Sequence, residues 1–591
     1  MKIHYRTVLG ILSWNSTNGA YLTLLSTMLS KCFKTVTRHY SNAKIVNARV
    51  LATDGVDELC VSIFKSRGHQ VDHLKTMPEA ELCKIIGDYD GLVIRSATKV
   101  NANIIKHASK MRVIGRAGVG YDNIDVNSAT KAGIMVMNTP GGNTVSTAQL
   151  AVSLLCSLAR NLPAADMSVK AGKWDRKNFN GVELYDKTIG IIGCGRIGQV
   201  VASCAKVLGM KVVGYDPVMT PEAFKEANIK QVDLDAIYAN SDFITVHTPL
   251  TPETSNLIND KTISKCKKGV RIINCARGGI VDEAALLRGL QSGHVAGAAL
   301  DVFTSEPPKE HLKELISHPN LVCTPHLGAS TDEAQVNVAR DIAVQMCDVF
   351  DQKDYVGVVN VSYMIAGTQP HMKPFMELSE CIGAMQAQLS DSQVKKVTLK
   401  TWGGRDVNIT TKAARQLLEA QLLKGLIKHS GLGLVPDLIS APLMAKENNI
   451  ESIISTNFPD NIGSPYWNLL SVDVERRDGT HSRITGAVFG STPHIVQVDN
   501  FSDLFSFKPD GNYILAFRNE DRPGAISEVL EILHGANVNV ASINVARPKV
   551  AEDVKTSALC FMSLDEDIPT NALNLLKKLP SLQKVAKIHL H

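Results

Sequence analysis

The sequence predicts an α/β protein of several domains, built on doubly wound parallel sheets and followed by smaller modules. Strand and helix candidates alternate from about residue 45 to residue 350, which is typical of a parallel sheet covered by helices on both faces. A glycine-rich turn lies between a strand and a helix within that span. Residues 511–591 read strand, helix, strand, strand, helix, strand, which is the order of a ferredoxin-like module.

The glycine-rich turn follows an apolar strand candidate at 189–192 and precedes a helical pattern that stops at Gly209. A second strand candidate, 211–215, leads into Asp216. The turn consists of Gly193, Cys194, Gly195, Arg196, Ile197 and Gly198. Glycines there let the backbone approach a pyrophosphate, and the N-terminus of the helix supplies free N–H groups. Because Asp216 can accept hydrogen bonds from an adenosine ribose and would repel a 2′-phosphate, the motif predicts NAD rather than NADP.

Composition and charge are those of an ordinary globular protein, with 44% hydrophobic and 20% charged residues. The formal net charge of +5 is small for 591 residues and no basic block occurs, so no nucleic-acid partner is expected. The 12 cysteines occur singly and without metal-ligand spacing, which favours reduced thiols and no metal site. No apolar run reaches the roughly 18 residues of a membrane span, so no membrane partner is expected.

The first 48 residues contain basic residues and no acidic one; the first acidic residue is Asp54. Such a segment is typical of a mitochondrial transit peptide, with residues 38–41 as a processing region. An unstructured extension over residues 1–45 is the alternative, which we favour. The expected location is therefore the cytoplasm, with the mitochondrial matrix as the alternative.

Residues 46–140 contain a first run of alternating elements and a second glycine-rich segment, 115–120. Because no apolar helical run follows that segment, we interpret it as a loop on the substrate side rather than a second nucleotide site. The strand candidates are 45–52, 69–74, 90–95 and 113–114, and the helix candidates are 57–67, 79–86 and 101–108.

A helix at 143–159 can link this run to the glycine-rich turn, and one at 327–350 can return the chain to it. The carboxyl ends of the strands between them should line the active crevice. These strand candidates are 243–247, 270–275, 295–301 and 321–323. Residues 352–374 are interpreted as a linker. A small mixed α/β domain is indicated by the segments 395–400, 413–429 and 482–498.

Three residues that follow predicted strands have the chemistry of a hydroxyl-oxidising dehydrogenase: Arg277, Glu306 and His326. An imidazole can take the hydroxyl proton near neutral pH, and a carboxylate at its other nitrogen fixes the tautomer. A guanidinium can hold a substrate carboxylate through two parallel hydrogen bonds. Taken singly, such residues are more often a surface arginine, a loop carboxylate and a turn histidine.

Longer segments around these residues resemble a known family. Residues 274–279, 299–303 and 325–329 resemble signature segments of the D-isomer-specific 2-hydroxyacid dehydrogenases. Within that family, residues 94–100 and 115–120 resemble the long animal and bacterial members that oxidise 3-phospho-D-glycerate to 3-phosphooxypyruvate, the entry step to serine synthesis. Residues 440–447 resemble the intervening domain of those members, and the last module resembles an ACT domain, so the resemblance covers residues 46–591.

The resemblance implies a Rossmann-type NAD-binding domain (141–327) inserted in a flavodoxin-like substrate domain (46–140 and 328–352). A small α/β intervening domain (365–505) and a ferredoxin-like ACT domain (510–591) would follow. The resemblance also implies a homo-oligomer, either a dimer or a tetramer.

The resemblance further implies that His326 is the acid/base, Glu306 its partner and Arg277 the clamp for the substrate carboxylate. The charged groups of 3-phosphoglycerate would also meet Arg95, Ser96, Arg116 and Asn143. Arg176 could reach a neighbouring subunit's site, and is equally compatible with a solvated loop arginine. The implied NAD contacts are Gly193, Gly195, Arg196, Ile197, Gly198, Asp216, Thr248, Cys275, Ala276, Asp301, Gly328, Ala329 and Val119. Among them, Asp301 would face the nicotinamide amide.

ACT domains often bind an amino acid at a dimer seam, and serine is the ligand that the resemblance implies. The corresponding positions are Asn519, Asp521 and Asn539. Asn519 stands where serine-regulated bacterial members carry histidine, and Asp521 where they carry asparagine. These departures favour a structural dimerisation module over a serine site. Cys194 and Cys275 are not nucleophiles in the family, so a packing role is expected for both.

Two other functions are compatible with the same residues. One is a glyoxylate or hydroxypyruvate reductase, and the other is an NAD-sensing binding protein similar to the dehydrogenase-like transcriptional corepressors. The extra arginines favour a phosphorylated hydroxy acid, which carries about three negative charges, over a glyoxylate-type substrate. Two ordered domains at the C-terminal end argue against a corepressor, since those proteins end in a disordered tail.

Overall fold

The structure is a computed structural model, and it describes residues 47–403, 408–456, 466, 468–501, 506–509, 511, 513–548 and 557–590. The predicted extension over residues 1–45 lies outside the described residues. In the described part of the chain, no helix combines the length and the apolar character that crossing a bilayer requires. The chain divides into two compact units, which are described separately below. The first holds Lys44–Met372 and Thr411–Leu417, and the second holds Lys373–Thr410 and Leu418–His591.

The first sheet has five parallel strands in the order β2-β1-β3-β4-β5. Its strands are β1 (Arg49–Ala52), β2 (Gln70–His73), β3 (Gly91–Ile94), β4 (Val113–Arg116) and β5 (Met135–Asn138). Its helices are α1 (Glu58–Ser66), α2 (Glu79–Ile85), α3 (Ala102–His107) and α4 (Val126–Lys131). This strand order is that of a flavodoxin-like doubly wound sheet, so the predicted fold of this part is confirmed.

Two features of this sheet differ from the sequence prediction. Strand β5 and helix α4 were not predicted. Gly115 and Arg116, which we predicted to begin a glycine-rich turn, are instead the last two residues of β4. A Cβ atom at Gly115 would collide with the side chains of Ile342 and Met346, so this glycine permits close packing of a helix on the sheet.

The second sheet has seven parallel strands in the order β12-β11-β10-β9-β6-β7-β8. Its strands are β6 (Thr188–Ile192), β7 (Lys211–Tyr215), β8 (Lys230–Gln231), β9 (Phe243–Val246), β10 (Val270–Asn274), β11 (Val295–Leu300) and β12 (Leu321–Cys323). The helices around it are α5 (Thr144–Arg160), α6 (Leu162–Lys170), α7 (Arg196–Val207), α8 (Pro221–Glu226), α9 (Leu234–Asn240), α10 (Asp260–Lys265), α11 (Glu283–Gln291) and α12 (Lys313–Ile316). The direction of winding reverses between β6 and β9, which confirms the predicted Rossmann-type sheet and locates its ligand crevice.

Two long helices connect the sheets. Helix α5 buries Ala151, Leu154 and Leu158 in the core of the second sheet. Helix α13 (Asp332–Phe350) packs against the first sheet, as the collision at Gly115 indicates. It begins later than the predicted residue 327, because the side chain of Thr331 caps it by accepting a hydrogen bond from the backbone N–H of Ala334.

The segment that we predicted to be a linker, residues 352–374, is partly built into the first sheet. The backbone N–H of Asn138 donates to the carbonyl oxygen of Gly357, and that of Val359 donates to Val136. The amide oxygen of Asn360 accepts a hydrogen bond from the N–H of Val136. The linker prediction is therefore wrong at residues 357–360, which cover the free edge of β5.

The second unit contains two sheets. The first is a mixed sheet in the order β14-β13-β15-β16-β17, in which only the β13–β14 pair is parallel. Its strands are β13 (Val394–Trp402), β14 (Glu451–Ser455), β15 (Leu469–Arg476), β16 (His481–Phe489) and β17 (Thr492–Val498). The helices in this part of the chain are α14 (Lys373–Gln388), α15 (Lys412–Lys428) and α16 (Ala441–Glu447). Helix α14 was not predicted, and its first two residues fall in the predicted linker.

The last sheet is antiparallel, in the order β19-β20-β18-β21. Its elements are β18 (Tyr513–Glu520), α17 (Ala525–Gly535), β19 (Val540–Ala546), β20 (Ser557–Leu564), α18 (Thr570–Lys578) and β21 (Leu582–His589). The two helices cover one face of the sheet, where Phe517, Leu533 and Leu576 are buried in a common core. This topology confirms the predicted ferredoxin-like module.

Candidate active site

The three predicted catalytic residues follow three neighbouring strands of the second sheet. Arg277 lies just beyond the end of β10, Glu306 beyond β11 and His326 beyond β12. Because all strands of this sheet are parallel, their carboxyl ends share one edge. The fold therefore brings to one edge residues that are far apart in the sequence.

Glu306 and His326 are in direct contact. The Oε2 atom of Glu306 lies 2.6 Å from Nδ1 of His326, and Oε1 accepts a hydrogen bond from the backbone N–H of Phe303 at 3.1 Å. An ionised carboxylate only accepts, so this contact places the hydrogen of a neutral imidazole on Nδ1 and leaves Nε2 as a base. The pair has the geometry that general acid–base chemistry at a hydroxyl requires.

Asp301 holds the loop that carries His326. Its side-chain oxygens accept hydrogen bonds from the Thr324 hydroxyl and from the N–H groups of Leu327 and Gly328, at 2.6, 2.7 and 2.9 Å. His326 itself has a left-handed φ of 55°, a conformation that surrounding contacts must maintain. Burial raises the pKa of Asp301, which is only 1% exposed. That this carboxyl also faces the nicotinamide amide stays a prediction.

Arg277 lies between the two sheets of the first unit. Its Nε atom is 3.2 Å from Oδ2 of Asp122, a residue of the loop after β4, and its Nη1 donates to the carbonyl oxygen of Ala276 at 2.6 Å. Nη2 lies against Gly120, where a Cβ atom would collide with it. The guanidinium is thus held close to the first sheet, where the predicted substrate residues lie.

Arg116, one of the predicted substrate residues, is partly buried at the end of β4. Burial lowers its pKa to about 10, and repulsion from Arg277 and Arg95 acts in the same direction. Its Nε atom is buried without a hydrogen-bond partner among the described residues. Arg277 and Arg95 thus lie close enough to repel the guanidinium of Arg116. That the three arginines bind an anion with several charges stays a prediction.

The other predicted substrate residues have varied surroundings. Arg95 and Ser96 directly follow β3, and Ser96 is exposed. Asn143 occupies the cap position of α5 without capping it, and its buried Oδ1 atom has no partner among the described residues. Arg176 lies in an exposed segment, so its role in a neighbouring subunit stays a prediction.

The glycine-rich turn has the shape needed for a pyrophosphate. Gly193 has a left-handed φ of 93°, and a Cβ atom there would lie 2.6 Å from the carbonyl oxygen of His247. A Cβ atom at Gly198 would collide with the carbonyl oxygen of Gly193, so that glycine allows the helix to pack on the turn. At Gly195, the cap of α7, the space around a Cβ atom is open and no side chain caps the helix. The free N–H groups of α7 therefore face open space, as an NAD pyrophosphate requires.

Asp216 and Thr248 flank this turn. Asp216 lies at the end of β7, and its side chain accepts hydrogen bonds from the N–H groups of Cys194 at 2.9 Å and Val218 at 2.9 Å. These bonds hold the carboxylate beside the glycine-rich turn, and its contact with a ribose stays a prediction. The hydroxyl of Thr248 is buried without a partner among the described residues. The residues present therefore fit NAD.

The remaining predicted NAD contacts lie around the same crevice. Arg196 and Ile197 open α7, and Nη1 of Arg196 would lie 3.5 Å from a Cβ atom at Gly141. The carbonyl oxygen of Val119 accepts a hydrogen bond from Asn138 at 2.6 Å. Cys275 and Ala276 follow β10, and Gly328 and Ala329 follow His326. The individual NAD contacts of these residues stay predictions.

The two cysteines near the crevice are packed, not activated. Cys194 is fully buried in the core that α5 shares with the second sheet, and Cys275 is nearly so. Burial raises the pKa of Cys194 to about 12 and raises that of Cys275 further. Both therefore remain protonated thiols near neutral pH, in line with the packing role that we expected.

The predicted effector residues of the ACT domain have partners within the domain. Both side-chain oxygens of Asp521 contact Arg547, at 2.6 and 3.2 Å, and this ion pair lowers the pKa of Asp521. The amide of Asn539 donates to Asp565 at 2.6 Å. Asn519 is 3% exposed and donates to the carbonyl oxygen of Glu520, while its own amide oxygen is buried without a partner among the described residues.

Three residues near the substrate side were not singled out from the sequence. Asp54 and Asn123 hold the backbone of the loop 95–98, and Asp122 contacts Arg277. The sequence signal that could have identified Asp54 was its position after a predicted strand. Asp54 follows β1 as Arg95 follows β3, and the two strands are neighbours in the sheet.

Comparison with known families agrees with this geometry. The D-isomer specific 2-hydroxyacid dehydrogenase, NAD binding domain family matches residues 152–328. The D-3-phosphoglycerate dehydrogenase intervening domain family matches residues 371–499, and the ACT domain family matches residues 513–581. The chain thus binds NAD and carries an intervening and an ACT domain, as the sequence predicted.

Curated relatives are similar over most of the chain. D-3-phosphoglycerate dehydrogenase of Homo sapiens is 43% identical over 84% of this chain and 91% of its own length. The proteins of the same name from Synechocystis sp. and Methanocaldococcus jannaschii are 38% and 37% identical, each over 92% of this chain, and the matches cover 95% and 100% of their own lengths. The chain therefore belongs to the D-3-phosphoglycerate dehydrogenase family, within the D-isomer-specific 2-hydroxyacid dehydrogenases.

Proposed function

We propose that this chain oxidises 3-phospho-D-glycerate to 3-phosphooxypyruvate with NAD, the first step of L-serine synthesis by the phosphorylated route. The observation that carries the proposal is the contact of 2.6 Å between Glu306 and His326 beside a glycine-rich turn that fits NAD. The names of the curated relatives and the match to the intervening domain support the same substrate.

His326 removes the proton of the substrate hydroxyl through Nε2 and returns it in the reverse direction. Glu306 keeps the imidazole in the required tautomer and stabilises the imidazolium that forms. Arg277 binds the substrate carboxylate and fixes the reacting carbon beside the imidazole. Bound NAD supplies the acceptor for the hydride that leaves this carbon.

The charge of the site favours a phosphorylated substrate. Burial is the main cause of the lowered pKa of Arg116, and repulsion from Arg277 and Arg95 acts in the same direction. A phosphorylated hydroxy acid with about three negative charges relieves this repulsion, whereas a substrate with one carboxylate would leave the arginines undercompensated.

The test is an assay for NADH formation from 3-phosphoglycerate. In the reverse direction, 3-phosphooxypyruvate should be reduced with a much higher kcat/KM than hydroxypyruvate or glyoxylate. Equal or higher kcat/KM with the unphosphorylated acids would favour the reductase alternative. Tight NAD binding without turnover of any of these acids would favour the binding-protein alternative.

Replacement of Asp216 by alanine should reduce the preference for NAD over NADP. A charge-assisted hydrogen bond contributes about 1.5–3 kcal/mol, so we expect the KM for NAD to rise about tenfold or more. The KM for NADP should fall or stay constant, because the repulsion of its 2′-phosphate is removed. Steady-state rates with both cofactors measure the change.

Asp233→Ala is a matched control for this variant. Asp233 also accepts a backbone hydrogen bond, from Ala236 at 2.7 Å, but it does so at the start of α9. The control should lower stability and leave the cofactor preference unchanged. An unaltered NAD/NADP ratio in Asp216→Ala would show that this carboxylate does not read the ribose.

L-Serine at millimolar concentration should leave the initial rate unchanged. The carboxylate of Asp521 is already paired with Arg547, and Asn539 with Asp565, so two of the three predicted ligands are engaged within the domain. We propose that the ACT domain is a structural dimerisation module. Inhibition by L-serine that D-serine does not reproduce would refute this assignment.

We also propose that the chain functions as a homo-oligomer, a dimer or a tetramer. Helix α6 has no buried residue, and large apolar side chains are exposed on and after it, with Met167 at 70% and Trp174 at 76%. Arg176 follows them and would approach the partner's site. Sedimentation of the purified protein gives the number of subunits.

The location of the chain is tested separately. N-terminal sequencing of the native protein distinguishes a cytoplasmic chain from a processed mitochondrial one.

A further inference from the structure

We propose that Asp54 and Asn123 are positioning residues for the substrate, acting through the backbone of the loop formed by residues 95–98. This loop presents Arg95 and Ser96 at the carboxyl edge of the first sheet. The inference rests on the proposed function, in which Arg95 and Ser96 meet the charged groups of 3-phosphoglycerate. It identifies what holds those two residues in place.

Asp54 binds the loop from the side of β1. Its Oδ2 atom accepts hydrogen bonds from the backbone N–H groups of Arg95 and Thr98, both at 2.9 Å. Its Oδ1 atom accepts the hydroxyl of Thr98 at 2.6 Å and that of Thr76 at 3.0 Å. One carboxylate thus engages both ends of the loop and anchors them to the segment after β2.

Asn123 binds the backbone carbonyl groups of the same loop. Its side-chain amide donates to the carbonyl oxygens of Arg95 and Thr98, both at 2.7 Å. Its own carbonyl oxygen accepts a hydrogen bond from the N–H of Val100 at 2.8 Å. Asp54 and Asn123 together therefore satisfy the backbone N–H and C=O groups at both ends of the loop, which fixes its conformation.

Only the ends of the loop are held by these bonds. Thr98 is buried, whereas Ser96 and Ala97 are exposed between the two fixed ends. A short exposed segment with both ends fixed is the arrangement expected of a ligand-binding loop on a rigid sheet. The carboxylate of Asp54 also makes a small attractive contribution at Arg116, opposite in sign to the repulsion from Arg95.

The hydrogen bonds of Asp54 determine its ionisation state. Burial acts to raise its pKa, but hydrogen bonds from Thr98, Arg95 and Thr76 more than offset this effect, so the pKa is lowered. The group is therefore ionised throughout the neutral range. Its φ of 63° is left-handed, a conformation that aspartate and asparagine adopt more readily than most residues.

This conformation makes Asp54→Asn an informative variant. Asparagine tolerates the backbone, its amide oxygen can accept the two N–H groups, and its NH₂ group can donate to the threonine hydroxyls. Asp54→Asn therefore retains the geometry and removes the charge, whereas Asp54→Ala removes both. Asn123→Ala removes the bonds to the carbonyl groups without changing any charge.

The experiment measures kcat and KM for 3-phosphoglycerate, the KM for NAD, and the preference for 3-phosphooxypyruvate over hydroxypyruvate. In Asp54→Ala and Asn123→Ala, we expect the KM for 3-phosphoglycerate to rise about tenfold or more. The reason is that a misplaced loop loses one charge-assisted contact with the substrate. The preference for the phosphorylated acid should fall by a similar factor. The KM for NAD should not change, and kcat should change much less than KM. Asp54→Asn should restore most of the affinity.

Asp57→Ala is the matched control. Asp57, three residues from Asp54 in the sequence, caps α1 by accepting the N–H of Leu59 at 2.8 Å, and among the described residues its side chain has no hydrogen bond to the loop 95–98. It should lower the melting temperature without altering KM or the phosphate preference. An equal rise of KM in this control would reduce Asp54 to a general stabilising residue and overturn the proposal.

The remaining outcomes are also decisive. Unchanged KM and unchanged phosphate preference in folded Asp54→Ala or Asn123→Ala refute the positioning role. If Asp54→Ala does not fold, Asn123→Ala decides alone. An unsubstituted enzyme that forms no NADH from 3-phosphoglycerate refutes the proposed function instead, which is a separate result.

Discussion

Replacement of His326 by alanine is expected to lower kcat by at least about 10²-fold, the contribution of a positioned general base. The contact between Glu306 and Nδ1 leaves Nε2 as the atom that receives the hydroxyl proton, and alanine offers no substitute. The KM values should change little, because the arginines and the glycine-rich turn are untouched. NADH formation at saturating 3-phosphoglycerate measures the effect.

His311→Ala is a suitable control, since this exposed histidine lies in the same unit and outside the crevice. It should retain the full rate. Glu306→Gln should give an intermediate loss of kcat, because a neutral amide stabilises the imidazolium less than a carboxylate and can hold the wrong tautomer. Turnover of His326→Ala within a few-fold of the unsubstituted enzyme would remove His326 from the mechanism.

The part of the site that the sequence predicted depends on short-range patterns. The glycine-rich turn, the strand β7 and Asp216 lie within one continuous segment, so spacing alone was sufficient to predict NAD binding there. Arg277 and His326 became candidates because each follows an apolar strand, and parallel strands present their carboxyl ends together. Their roles were assigned through the family resemblance and stay predictions. The residues that the topology places at this edge could therefore be proposed as candidates from the sequence.

Contacts between distant segments could not be predicted in the same way. The pairing of Arg277 with Asp122 joins the loop after β10 to the loop after β4, and the hydrogen bonds of Asp54 to the loop after β3 depend on the register of two neighbouring strands. No local pattern encodes these distances. An aspartate after a short strand has the same appearance in sequence whether it caps a helix, as Asp57 does, or binds a loop.

The errors in the fold prediction have a similar origin. Strand β5 is four residues long, and its neighbour, residues 357–360, joins the sheet through backbone hydrogen bonds, one asparagine and the packing of Val359. Neither segment has enough alternating residues to show a period. Gly115 was interpreted as a turn residue because glycine is frequent in turns, whereas its role is to admit Met346 of α13.

The environment of Arg277 has a consequence for substrate binding. Nε is engaged by Asp122 and Nη1 by the carbonyl oxygen of Ala276, so Nη2 is the least engaged nitrogen of the guanidinium. A carboxylate that binds through two parallel hydrogen bonds must therefore displace Asp122 or share Nη1. Since Asp122 is largely exposed, its displacement into water costs little free energy. A substrate carboxylate can therefore replace Asp122 as the partner of Arg277.

Arg277→Ala is accordingly expected to lower kcat/KM for 3-phosphoglycerate by about 10²–10⁴-fold. Two charge-assisted hydrogen bonds are lost, each contributing about 1.5–3 kcal/mol, and the reacting carbon is no longer fixed beside His326. Arg277→Lys should recover only a small part of the activity, because an ammonium group retains the charge but lacks the planar pair of donors. Arg288→Ala, which removes an exposed arginine paired with Asp260, should keep full activity. Recovery of full kcat/KM in Arg277→Lys would show that only the positive charge is required, and comparable losses in Arg277→Ala and Arg288→Ala would exclude a specific carboxylate clamp.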